Sequence, residues 1–305
     1  VASGVIPIAH ANDGAGSIRI PASCCGLVGL KASRGRIKDK EVPSYLPANI
    51  LHDGVVTRSV RDTWAFHAEI EKNIPATEFP PIGDISESFP KNLKIAVLTE
   101  NCLGEDSSAE LVQATHDVAR LCESLGHEVE MISNPFYKKF DEDFWLLWAH
   151  FGFLIRYSVG KELSSKFDHT QLEQWPKYLI SRHWRNIHKV PVAFWRLRRF
   201  VSQYETFMQN FDILLTPTLG TTVPKLGFFG PEVSGQEHWE RINDFLPFTK
   251  YQNISGAPAI TLPCGTDLKG LPIGIQLSSR LGEDRLLLKL SLQLEQNSNW
   301  KSLNK

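Results

Sequence analysis

The 305 residues carry 33 lysines and arginines against 34 aspartates and glutamates, a formal net charge of −1, so no global field draws the chain to nucleic acid or to an anionic membrane. Hydrophobic residues make up 42% and charged residues 22%, the balance of a soluble globular protein with room for one large α/β domain or two smaller ones. Five cysteines without metal-binding spacing argue against a disulfide framework or a zinc site and for a reducing, cytoplasmic compartment, and no apolar run approaches the roughly 20 residues of a membrane span.

The first predicted element is short and apolar. Val5 to Ala9 reads as a buried strand after the punctuation of Gly4. It runs into N-D-G-A-G-S-I-R-I-P at residues 12–21. Gly14, Ala15 and Gly16 present little or no side chain, so successive backbone N–H groups can converge on one negative oxygen. Ser17 follows directly. A hydroxyl beside converging N–H groups is the arrangement acyl transfer needs. Asp13 and Arg19 flank the serine as a salt bridge expected to clamp the loop, and Pro21 stiffens the residues after it. Cys24 to Leu30 reads as a tightly packed turn and helix beneath the site.

This stretch resembles the nucleophile loop of the amidase signature family, G-G-S-[IV]-R-x-P. Asp13, Gly16, Ser17, Arg19, Pro21, Gly26, Gly29, Leu30 and Lys31 stand at the motif's positions. Ala15 replaces the commoner glycine, which a backbone oxyanion hole tolerates because only the N–H is used. The N-D-x-A-G-S variant is similar to the branch containing 6-aminohexanoate cyclic-dimer hydrolase.

Residues 35–56 show no clear period and read as a long loop leading to G-V-V-T-R-S-V-R-D at 54–62. Ser59 is the predicted N-cap of a helix from Val60 to Ile70, with Asp62 at its third position. Four prolines in residues 73–92 mark a surface connection. Leu93 to Leu98 is a buried strand. Ser107 or Ser108 caps a helix whose Leu111, Ala114, Val118, Leu121 and Leu125 recur at spacings of three and four. Gly126 ends it, and His127 to Ile132 is the next strand, so this β-α-β unit pairs in parallel. Residues 136–210 are helical and rich in aromatics. Phe211 to Pro217 is a strand, Gly270 to Gln276 part of a closing hairpin, and Asp284 to Gln296 a final helix. Phe248 to Pro263 and Gly270 to Gln276 resemble further segments of the same family.

The resemblance implies an α/β fold, a mixed central β-sheet covered by helices on both sides, formed by residues 1–305 as one domain. It also implies that 136–210 is the insert that shapes the substrate pocket. It implies a serine amidase that needs no cofactor, with Ser17 as nucleophile, the backbone of Gly14, Ala15 and Gly16 as oxyanion hole, Asp13 and Arg19 as loop supports, and a small-molecule amide as substrate. In the family a lysine acts on the nucleophile through a second serine in G-S-S-G-G-S. Neither element matches this sequence, and Lys31, Lys38 and Lys40, which follow Ser17, fit no part of the base motif. The chain is therefore expected to lack the family's N-terminal third, to turn over little by itself, and to expose apolar faces that favour association, for example as a homodimer.

Two other readings stand beside this one. A glutaminase subunit of a tRNA-dependent amidotransferase belongs to the same family, although Ile20 stands where those proteins commonly have glutamine. A non-catalytic degenerate homologue or fragment is the other. Cys24, Cys25 and Cys264 read as buried and inert. Arg196, Arg198 and Arg199 read as a solvated basic face, His10 as a packed or loop histidine, and the aromatics of Phe144 to Tyr157 as core or as a substrate wall.

Overall fold

The computed structural model describes residues 1–37, 49–74, 78–85, 88–160 and 164–298. Among these residues, eight strands form one mixed sheet: β1 (Ile8–Asp13), β2 (Val28–Lys31), β3 (His52–Thr57), β4 (Lys94–Val97), β5 (Glu128–Met131), β6 (Ile213–Pro217), β7 (Ala259–Thr266) and β8 (Pro272–Ser278). Their spatial order is β1-β3-β2-β7-β8-β6-β4-β5. β4 pairs in parallel with both β5 and β6, while β1, β3, β2, β7, β8 and β6 join antiparallel. The α-helices are α1 (Arg19–Cys24), α2 (Val60–Asn73), α3 (Ala109–Ser124), α4 (Phe140–Leu154), α5 (Gln174–Asn186), α6 (Val190–Met208), α7 (Gly235–Phe245), α8 (Lys250–Ser255) and α9 (Asp284–Asn297). None of them is long and apolar enough to cross a membrane.

Strand alternation divides the core in two. Ile95, Val97, Ile213 and Leu215 face a cluster with Val60 and Trp64 of α2, Val118 and Cys122 of α3, and Leu287 and Leu288 of α9. Ala96, Leu98 and Leu214 face the opposite cluster, built on Phe140 and Phe144 of α4, Phe200 and Tyr204 of α6, and Tyr251 of α8. Successive strand side chains point to opposite faces, so each face of the sheet acquires its own helical layer. This is the mixed sheet with helices on both sides that the sequence implied.

Most predicted elements appear within a few residues of their expected bounds. Ser59 Oγ accepts the Asp62 N–H at 3.1 Å and starts α2, which runs on to Asn73. Ser108 occupies the N-cap of α3, but its side chain makes no capping bond. Two local readings need correction. The first strand lies at Ile8–Asp13 rather than Val5–Ala9; it is an edge strand only partly covered, and Val5 is exposed. In the segment from Cys24 to Leu30, the helix ends at Cys24 and a buried strand begins at Val28.

Candidate active site

The loop between β1 and α1 places one exposed side chain on an otherwise buried turn. Ser17 is exposed, whereas Asp13, Gly14, Ala15, Gly16, Ile18 and Arg19 are buried. Gly16 has φ +122°, in the range that favours glycine. A Cβ there would lie 2.6 Å from Ile20 Cδ1 and 2.7 Å from Thr249 Oγ1. Three of the loop's carbonyls are engaged. Asp13 O accepts from Asn253 Nδ2 at 3.1 Å, Ala15 O from Thr249 Oγ1 at 2.6 Å, and Gly16 O from the Ile20 N–H at 2.7 Å.

The N–H groups divide into two sets. Those of Gly16 and Ile18 donate to the Asp13 carboxylate at 2.7 and 3.3 Å. For those of Gly14, Ala15 and Ser17 no partner is found among the described residues. Of the three backbone donors expected from the sequence, Gly16 is thus committed to Asp13 in this structure, and Gly14 and Ala15 remain open beside Ser17.

Asp13 and Arg19 meet in a fully buried, two-pronged ion pair, Nε to Oδ2 and Nη2 to Oδ1, both at 2.9 Å. Arg19 spends its other N–H groups on Thr249 O (2.9 Å), Gln252 Oε1 (3.3 Å), Asn253 Oδ1 (2.7 Å) and Gln276 Oε1 (2.6 Å). Burial alone would raise the Asp13 carboxyl. The Arg19 charge and hydrogen bonds from Arg19 and Asn253 outweigh it and hold the carboxyl well below the usual carboxylate range. Thr249 and Gln276 lie in segments whose family resemblance is legible in the sequence, but their role is not, because their partner is more than 200 positions away.

One wall of the loop comes from α4. A Cβ on Gly14 would stand 3.0 Å from both Trp148 Cη2 and Leu51 Cδ2. Trp148 is only partly buried and stacks on Phe144, with ring centroids 6.0 Å apart. The neighbouring Phe144, Trp145 and Leu147 are core. The aromatic run thus divides: Phe144 and Trp145 are core, Trp148, Phe151 and Phe153 are partly buried, Tyr157 is exposed, and Trp148 is carried to the edge of the serine loop.

The remaining candidates scatter. Lys31 is buried on β2, where its Nζ donates to Ala32 O at 3.0 Å, and burial and the Arg19 charge push it well below the ordinary lysine range. Lys38 and Lys40 lie outside the described residues. His10 is exposed on the edge strand, 3.1 Å from Asp53 Oδ1. Cys25 is exposed rather than buried, because α1 ends just before it; Cys24 and Cys264 are partly buried, and burial pushes their thiols up to about 11 and about 12. Arg196 is not on a solvated face: Asp143 binds it at two points. Among the described residues no cluster of His, Cys, Asp and Glu could hold a metal ion.

Known proteins share this fold and much of its sequence. The amidase family profile matches residues 1–288. AmiC of Mycobacterium tuberculosis (strain H37Rv) is 41% identical over 301 residues, covering 98% of this chain and 63% of AmiC. The 6-aminohexanoate-cyclic-dimer hydrolase of Paenarthrobacter ureafaciens is 30% identical over 325 residues, covering 98% of this chain and 65% of the enzyme. A solved structure of 6-aminohexanoate cyclic dimer hydrolase superposes with a TM-score of 0.81 at 29% identity, over 98% of this chain and 66% of that one. The chain thus spans less than two thirds of the length of these relatives. Identity over the whole chain is greater to AmiC than to the cyclic-dimer hydrolase that the loop variant resembles, since a six-residue variant samples too little of the chain to rank relatives.

Proposed function

Because the chain belongs to the amidase family, we propose that the protein hydrolyses carboxamides by acyl transfer through Ser17. Ser17 Oγ attacks the amide carbonyl carbon, and negative charge collects on the carbonyl oxygen. The open N–H groups of Gly14, Ala15 and Ser17 receive that oxygen. Collapse of the tetrahedral intermediate expels the amine and leaves an ester on Ser17, which water cleaves to acid and free enzyme. One observation carries this reading: a single exposed hydroxyl lies beside open N–H groups on a loop whose Asp13, Ala15 and Gly16 carbonyls and whose acid are tied down. Asp13 and Arg19 are supports in it, since each is spent on the other and on backbone and amide groups.

The serine proton needs a base. The family's relay of second serine and lysine has no match within residues 1–305, so a polypeptide confined to these residues turns over little. The helical segment 136–210 shapes the acyl site, with Trp148 as its contact to the loop. An indole wall and Leu51 suit an apolar or linear aliphatic acyl group.

The test uses protein expressed from the whole natural reading frame. Incubation with an acyl fluorophosphonate should label the peptide containing Ser17, read by mass spectrometry. Ser17→Ala should lower kcat on 4-nitroacetanilide on the order of a million-fold, as loss of a serine nucleophile does. Label on another residue, or retained turnover in the variant, refutes the assignment.

A further inference from the structure

We propose a second binding site, for a small organic anion with a flat apolar body, in the cleft where α5 and α6 diverge over α4. The cleft holds a cavity of about 390 Å³, and no residue of the serine loop lines it. That volume suits a single-ring ligand.

The charges in the cleft do not cancel. Arg196 and Asp143 neutralise each other through hydrogen bonds of 2.5 and 2.6 Å. Arg182, Lys139 and Lys189 then face the single carboxylate of Glu142. Among the described residues none of these three cations forms an ion pair. Arg182 is held in place. Its Cζ lies 3.7 Å from the centre of the Trp239 ring, and Nη1 donates to Tyr178 Oη at 3.4 Å. A guanidinium stacked by one face keeps its in-plane N–H groups for a carboxylate or phosphate.

The body of the ligand has its own surface. Leu146, Ala149 and Val192 line the same cavity, with the buried Trp145 beneath them. The Trp145 ring is fixed by its Nε1–H, which donates to Asn243 Oδ1 at 2.7 Å. A cation would meet like charge here, and a neutral ring would leave the arginine uncompensated, so the site selects acids.

Isothermal titration of the whole protein with phenyl phosphate tests this. Saturable binding at one equivalent is expected, with benzamidine showing none and inorganic phosphate binding at least tenfold more weakly for want of the ring. Arg182→Gln should weaken phenyl phosphate at least tenfold, as loss of a charged hydrogen bond does. Should that variant not fold, Lys189→Gln, at an exposed position, should weaken it about threefold. Absence of saturable binding, benzamidine binding as well as phenyl phosphate, or variants that bind like the parent would overturn the proposal.

Discussion

Asp13 and Thr249 hold opposite ends of one peptide unit. Asp13 Oδ1 accepts the Gly16 N–H at 2.7 Å, and Thr249 Oγ1 donates to Ala15 O at 2.6 Å. The Ala15–Gly16 peptide therefore cannot rotate without breaking a bond at each end, and it lies between the peptides that carry the open Ala15 and Ser17 N–H groups. Preorganised donors act because they need not move as charge develops. Thr249→Val keeps the shape of the side chain and deletes the donor. It should cost about 1–3 kcal/mol in urea unfolding, the penalty for a buried carbonyl left unpaired, and lower kcat about tenfold with KM little changed. An unchanged kcat would show that the grip on this peptide has no part in turnover.

Gly16 should accept no side chain. Its φ of +122° and the 2.6 Å approach of Ile20 Cδ1 act together on any added Cβ. Backbone strain of this kind costs about 1–3 kcal/mol before the clash is counted. Gly16→Ala should thus lower the thermal midpoint measurably and abolish turnover. Ala15→Gly, one position earlier, should keep most activity, because the position contributes only its backbone. Equal damage from both changes would mean that flexibility, not geometry, limits the loop.

Much of the fold was legible because its signals are local. The short apolar run of residues 93–98, the Ser59 cap and Gly126 each act within a few positions of themselves. The edge strand was misplaced because its covered side carries only Ala9, Ala11 and Asp13, which offer too little apolar bulk to mark a buried face. Ser17 and its flanking pair were legible as a motif. The partners of Arg19 were not: Thr249, Gln252, Asn253 and Gln276 come from α8, the turn before it and β8, and only the sheet order brings β8 and α1 together. Commitment of the Gly16 N–H to Asp13 was equally hidden, since it arises from the angle of the turn and not from residue type.

The buried pair sets an acid limit on stability. Asp13 titrates well below the usual carboxylate range in the folded chain, against about 3.9 when unfolded. A folded value below the unfolded one stabilises fully above about pH 4, and the gain is lost as pH falls through the folded value. Asp13→Asn leaves the Arg19 charge buried without a counterion, which should cost about 3–5 kcal/mol at pH 7. Urea unfolding between pH 7 and pH 2.5 should show the gap between wild type and variant constant down to about pH 4 and narrowing below it. A gap that ignores pH would mean that the carboxylate's charge is not what the fold relies on.

Trp148 is the residue through which acyl length should be felt. Its ring edge meets Gly14 at the serine loop while Phe144 backs it from the core. Each buried methylene is worth about 0.8 kcal/mol, so a hexanoyl group resting on the indole gains what an acetyl group cannot reach. Trp148→Ala removes that wall and leaves Ser17 and its N–H donors in place. The ratio of kcat/KM for hexanoyl over acetyl 4-nitroanilide should fall about tenfold, chiefly through KM for the longer substrate. A fall in kcat shared by both substrates would point instead to Trp148 as a prop for the loop. A ratio left unchanged would move the acyl site to another side of Ser17.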